Sequence, residues 1–149
     1  MKLPILILFL TTAASLAHAQ QPREPVISLE RTGCLGYCPS YTLTIYEDGM
    51  VIYNGRAYVS VKGTHVSKIS TAQLESLVNR FLADRFFELE ESRGFVVDVP
   101  LTITTFVHDG RKKTIKEAGT ASPSLRALQD EIDRTTDSVR WVGRRRHKK

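Results

Sequence analysis

The residues of this chain best suited to chemistry are its two cysteines, and both fall in one short string, Cys34-Leu35-Gly36-Tyr37-Cys38-Pro39. A pair separated by three residues can close a small cystine ring, exchange with another disulfide, or hold a soft metal ion. The residues after the pair decide between these. A reactive pair owes its low thiol pKa to a helix N-terminus that stabilises the thiolate. Here the string runs into Ser40-Tyr41-Thr42-Leu43-Thr44-Ile45-Tyr46, which alternates as a strand does. No strand-helix-strand pattern precedes it either. Copper(I) would accept both thiolates with an imidazole, and His65 and His108 are the candidates. The reading drawn is a structural Cys34–Cys38 disulfide that sets the entry to a strand. A thiol-disulfide or copper-handling role for the same pair is the alternative. So short a loop contributes only about 2 kcal/mol in the chain-entropy model, too little to hold a whole fold.

Tyrosine is the next resource. Tyr46, Tyr53 and Tyr58, with Tyr37 and Tyr41 close in sequence, form a candidate binding surface for a glycan, peptide or protein. Against that stands the ordinary use of tyrosine, half-buried on a strand. Glu88, Glu90, Glu91 and Asp98 gather around one loop. Paired carboxylates can serve glycoside hydrolysis or calcium binding, but this spacing is not that of an EF-hand and reads as a solvated acidic loop. Asp48 and Asp109 belong to turns. A basic tail, Arg144, Arg145, Arg146, His147, Lys148 and Lys149, has the charge to meet phosphate-bearing envelope surfaces, although a solvated end is its simplest state. There is no Gly-x-Ser-x-Gly elbow, His-Glu-x-x-His helix, P-loop or dinucleotide fingerprint. No constellation argues for an enzyme, and no cofactor is expected.

The elements that must position these residues lie behind a leader. Met1-Lys2, a short apolar run, and Ala17-His18-Ala19 form a secretory signal peptide pattern with cleavage expected before Gln20. No cysteine stands at the cut, so a lipoprotein anchor is not expected. The organisation read from this is a signal peptide over 1–19, a linker over 20–25, one domain over 26–142 and a basic tail over 143–149. Of the 21 Lys and Arg, Lys2 and the five in the tail lie outside residues 20–143. Fifteen remain against 16 acidic residues, so the high pI describes the tail rather than the domain.

Residues 26–31 alternate as a first strand, and residues 41–46 as a second. Asp48-Gly49 and Asn54-Gly55 are both two-residue hairpin signals, which predicts a third strand over 50–53 and a fourth over 56–62. That pairing sets Leu43, Ile45, Ile52, Ala57, Val59 and Val61 on the core face, and Thr44, Tyr46, Val51, Tyr53 and Tyr58 opposite. A slip of one residue exchanges the sets. Ser70 with Gln73 forms a capping box before Leu74, Leu77, Val78, Phe81 and Leu82, one apolar helix stripe. Residues 101–107 read as a strand returning at Asp109-Gly110. A three-residue loop there sets Ile115 opposite Ile103 rather than Thr104. Ser122 and Pro123 start a second helix with Leu125, Leu128 and Ile132 inward, extended by Val139 and Trp141. The order is β-β-β-β-α-β-β-α, an α+β two-layer domain with an antiparallel sheet of hairpins and two helices on one face.

The pattern Cys-x-Gly-x-Cys-Pro-x-Tyr-x-Leu-x-Ile-x-x-Asp-Gly-x-Val-x-Tyr-x-Gly, from Cys34 to Gly55, resembles a family of bacterial exported domains of unknown function. The resemblance extends through Val59, Gly63 and the helix over 74–81 to Asp98 and residues 125–133. It implies an extracytoplasmic setting and a shared fold, and it brings no activity. The resulting expectation is a non-catalytic binding or structural module in the periplasm or outside the cell. Its partner would be an envelope protein, a glycan or an anionic surface. No nucleic acid is expected, and no transmembrane segment after signal cleavage.

Overall fold

The computed structural model describes residues 24–90, 99–119 and 121–143. The expected leader over 1–19, residues 144–149 of the basic tail, Glu91 and Asp98 lie outside the described residues. Six strands form one antiparallel sheet: β1 Ile27–Arg31, β2 Ser40–Ile45, β3 Met50–Ala57, β4 Gly63–Lys68, β5 Thr102–His108 and β6 Arg111–Glu117, in the spatial order β4-β3-β2-β1-β5-β6. The first four strands follow one another as a meander. Helix α1, Thr71–Ala83, then carries the chain back so that β5 pairs with the free side of β1. Helices α2, Pro123–Thr135, and α3, Val139–Val142, complete the second layer. This is the α+β architecture and element order the sequence implies, with the short α3 appended.

Local chemistry sets the helix starts. The Ser70 side chain accepts from the Gln73 amide while Gln73 accepts from the Ser70 amide, closing the capping box at α1. Ser122 caps α2 through the Leu125 amide, with Pro123 at its first position. Leu74, Leu77 and Phe81 from α1, and Leu125, Leu128 and Ile132 from α2, meet Ile27, Leu29, Leu43, Ile45, Phe106 and Ile115 of the sheet in one core. Each such side chain withdrawn from water stabilises the fold by about 1.5–3 kcal/mol before entropy is counted.

Strand register departs from expectation at three places. Asp48-Gly49 is part of a three-residue loop, Glu47-Asp48-Gly49, closed by Gly49 N–H to the Tyr46 carbonyl at 2.9 Å. Gly49 has φ +76°, and a side chain there would collide with the Ile69 carbonyl. Ile45 therefore faces Val51, and Leu43 faces Tyr53. Val51 and Tyr53 are the buried residues of β3, whereas Ile52 faces away from the helices beside Val66. The predicted faces of β3 are exchanged, Val51 and Tyr53 taking the core in place of Ile52, while Leu43 and Ile45 keep the core face.

Asn54-Gly55 makes no turn. Both residues lie inside β3, paired on one side with Thr42 and Tyr41 and on the other with Thr64 and Gly63. Gly55 is required for close approach, because an added Cβ would meet the Val61 carbonyl and the Tyr53 hydroxyl. The fourth strand consequently starts at Gly63 rather than Arg56.

The third hairpin is the reverse case. Asp109 and Gly110 both have positive φ, +49° and +70°, the type I′ geometry of a two-residue loop. Ile115 thus pairs with Thr104. Apolar matching misled here because Thr104 is fully buried yet satisfied: Gln129 Nε2 of α2 donates to its hydroxyl at 3.3 Å.

Candidate functional site

The cystine loop joins β1 to β2, so the polar ends of both strands meet beneath it. Arg31 closes β1 and stands opposite Tyr41 on β2, with both side chains on the helix side of the sheet. Asp133, near the end of α2, lies over the pair. Arg31 Nε donates to the Tyr41 hydroxyl at 2.8 Å, and Arg31 Nη2 donates to Asp133 Oδ2 at 2.8 Å. The Tyr41 hydroxyl donates to Asp133 Oδ1 at 3.1 Å, and Ser138 Oγ donates to the same oxygen at 2.6 Å. Every bond in this ring involves a charged group, so each is stronger than a neutral one.

Its electrostatics come from burial and mutual charge. Burial pushes the Tyr41 phenol well above its usual range, and the Asp133 carboxylate adds to this while Arg31 opposes it. Burial alone works against the Arg31 charge, but Tyr41 and Asp133 outweigh it and hold the guanidinium more firmly protonated. The phenol is a fixed donor, and the carboxylate is committed to three donors. Such a ring ties the end of α2 to the mouth of the sheet; it offers no activated nucleophile. The same row of the sheet continues through Thr102 to Glu117. Glu117 Oε2 is buried without a hydrogen-bond partner.

A second layer carries this rigidity to the loop after β3. Tyr53 is fully buried and stacks on Trp141 of α3 with ring centroids 5.0 Å apart. Its hydroxyl donates to the Val61 carbonyl at 3.1 Å. The Val61 amide bonds the Trp141 carbonyl at 2.9 Å, and the Ser60 amide bonds the Val142 carbonyl at 3.2 Å. Arg140 lies over the outer side of Trp141 at 4.2 Å. On the opposite sheet face, Arg56 reaches Glu30 at 2.7 Å and Ser40 Oγ at 3.2 Å.

What this framework presents is the cystine loop. Cys34 and Cys38 are joined in a disulfide, with Cα atoms 5.7 Å apart. Between them Leu35 and Tyr37 are each 89% exposed. Tyr58, 53% exposed, meets Tyr37 edge-on at 5.2 Å. It does so from a left-handed backbone conformation, φ +53°, that a tyrosine seldom adopts.

A family model described as a domain of unknown function, DUF6438, matches residues 25–136. The chain belongs to the DUF6438 family. The matched DUF6438 region runs from the residues before β1 to the end of α2 and so includes Arg31, the cystine loop, Tyr41, Tyr58 and Asp133. No curated protein matches this DUF6438 chain. No helix among the described residues is long and apolar enough to cross a membrane.

The candidates raised by the sequence are thus redistributed. Cys34 and Cys38 form the cystine. Tyr58 is on the surface, but Tyr53 is buried in the core, and Tyr46 is half-buried at the far end of β2, beside Glu24, Glu47 and Asp48. The three tyrosines do not form one surface, because the one-residue difference in the first hairpin turns Tyr53 inward. His65 packs near Tyr53 at 6.4 Å, and His108 stacks on Phe106 at 5.8 Å. Among the described residues, no three His, Cys, Asp or Glu side chains gather as a metal site. Glu88 pairs with Arg85.

Sequence reasoning does not single out Arg31, Asp133 or Ser138, nor the exposure of Leu35. One signal for Asp133 is present in the sequence. With Gln129 it occupies the inward stripe of α2 beside Leu125, Leu128 and Ile132, and a polar residue on such a stripe requires a buried partner.

Proposed function

We propose that this DUF6438 domain is a non-catalytic binding module working outside the cytoplasm, with the Cys34–Cys38 loop and Tyr58 as its contact surface. The observation that carries the reading is the 89% exposure of Leu35 and of Tyr37 on a loop closed by a cystine. Two large apolar side chains held out by a covalent ring lose little entropy on binding, and that is how preorganised contact residues gain affinity. The Arg31–Tyr41–Asp133 ring supports this role by fixing the base of the loop. A disulfide also suits an oxidising compartment, in keeping with the leader pattern in residues 1–19.

The deciding experiment combines redox titration with capture. Intact mass after alkylation, across a series of glutathione buffers with and without copper(I), should show a pair that stays oxidised and takes up no metal. An envelope extract passed over the immobilised domain should yield a retained component that a Leu35→Ser/Tyr37→Ser variant loses. A pair that cycles readily, or copper uptake abolished by Cys34→Ser, would replace this reading with a thiol-disulfide or copper-handling one.

A further inference from the structure

The two edges of the sheet differ in kind. Among the described residues β6 closes it on one side and β4 on the other. Four of the seven residues of β6, Arg111, Lys112, Lys113 and Lys116, are cationic, and charge of this sort keeps an exposed edge from pairing. β4 reads Gly63-Thr64-His65-Val66-Ser67-Lys68, with Lys68 its only Lys, Arg, Asp or Glu, no proline, and an unbroken register against β3. At its centre Val66 is 64% exposed.

The backbone of β4 alternates between its neighbour and the open side. The Ile69 amide donates to the Gly49 carbonyl at 2.9 Å where the ladder with β3 begins. In an antiparallel ladder every second residue turns its N–H and C=O to the same neighbour, so Ser67, His65 and Gly63 bond β3. Lys68, Val66 and Thr64 point theirs outward. Among the described residues no backbone bond takes these groups up. Such a row of unpaired donors and acceptors is a template for one more strand.

The residues of β4 suit its own copy. Two β4 strands running antiparallel about a twofold axis at Val66 set that valine opposite its counterpart, and Lys68 opposite Thr64 of the second copy. Each of these pairs exchanges two hydrogen bonds, and no like charges meet. Ile52 stands beside Val66 on the face away from the helices, so the twofold joins the Ile52 and Val66 side chains of both copies in one apolar strip. The same operation on β6 would bring two cationic strands together.

We infer that the domain forms a twofold dimer by pairing β4 with β4 of a second copy, so that two six-stranded sheets become one. The pairing goes beyond the binding-module reading and does not depend on it. Because the strands are antiparallel, the two cystine loops stand at opposite ends of the joined sheet. A six-residue edge is about 20 Å long and makes a small interface, so the dimer is a weak one.

A chain beginning at Gln20 keeps every residue of the buried core, which starts at Ile27, and is the material for the test. Sedimentation velocity should show monomer passing to dimer with a Kd of about 10–100 μM. Val66→Lys places like charges at the axis, and Val66→Pro removes an outward donor that β3 does not use. Each should raise the Kd at least about tenfold with unchanged circular dichroism. Lys112→Glu on β6 and Leu35→Ser/Tyr37→Ser in the cystine loop should leave it unchanged. Amide exchange followed by NMR gives an independent readout. The Thr64, Val66 and Lys68 amides should slow several-fold from dilute to concentrated samples, while those of His65 and Ser67, already bonded to β3, should not. A chain that stays monomeric up to about 1 mM, or a dimer that survives both Val66 variants, overturns the inference. So does a dimer dissolved by Leu35→Ser/Tyr37→Ser, which would move self-association to the cystine loop and leave the binding-module reading standing.

Discussion

Tyr41 and Tyr53 show how far single side chains depend on where the chain places them. Both are raised above the ordinary phenol pKa of 10.0, in each case chiefly by burial. A phenol that stays protonated in the native state, while its unfolded counterpart ionises, makes stability depend on alkaline pH. Below pH 10 the contribution is fully present. As pH rises above the unfolded value, the unfolded state loses protons first, so stability falls by about 1.4 kcal/mol per pH unit for each tyrosine held protonated. Urea unfolding from pH 8 upward should show this decline beginning near pH 10. Tyr41→Phe should make it shallower, leaving the share of Tyr53, while costing about 1.5–3 kcal/mol at neutral pH, the range for hydrogen bonds to charged groups. A slope unchanged by Tyr41→Phe would mean that the Asp133–Arg31 ring does not hold the phenol.

At the scale of elements, the decisive facts are loop lengths. Two Asp-Gly dipeptides take opposite forms: Glu47-Asp48-Gly49 is a three-residue loop and Asp109-Gly110 a two-residue one. A dipeptide signals a reversal but not its length, and one residue of length turns a whole strand over. Asn54-Gly55 carries the same signal and yet runs straight through β3, because its glycine serves the approach of Val61 and Tyr53. Two substitutions separate these uses of glycine. Gly63 has open space around it and only a positive φ, +84°, so Gly63→Ala should cost about 1–2 kcal/mol of backbone strain. Gly55→Ala forces backbone and ring apart and should cost about 3 kcal/mol or more. Thermal melts of the two variants compare them directly, and equal losses would refute close approach as the reason for Gly55. The helix starts, by contrast, were legible to the residue, since the Ser70 and Ser122 caps act within a few residues of the apolar stripes. The expected extension of the second helix to Val139 and Trp141 was not, because α2 stops at Thr135 and Asp137, at φ +51°, turns the chain into the separate α3.

For the molecule as a whole, the cystine is local. It closes five residues at the surface, while the core is assembled from β1, β2, β3, β5 and β6, α1, α2 and Trp141 of α3. Cys34→Ser/Cys38→Ser should therefore keep the native far-ultraviolet spectrum and lose about 2 kcal/mol, the entropy of a short closed loop. Denaturant titration beside the wild type measures it; an unfolded variant would show that the loop organises the sheet. The charge is local in the same way, because the net positive balance of the chain is concentrated after Gly143.

The sequence alone determined the fold class, the order of strands and helices, both helix caps and the pairing of the only two cysteines. These depend on neighbours along the chain, or admit one partner only. Tertiary structure decided which tyrosines are core and which are surface, and it assembled Arg31, Tyr41, Asp133 and Ser138. The ring spans more than a hundred residues between Arg31 and Asp133, and its geometry exists only once the strand register has been set. It also decided the character of the two-cysteine stretch. Leu35 and Tyr37 stand in solvent on the connection between β1 and β2, whose ends are tied to Asp133 through Arg31 and Tyr41.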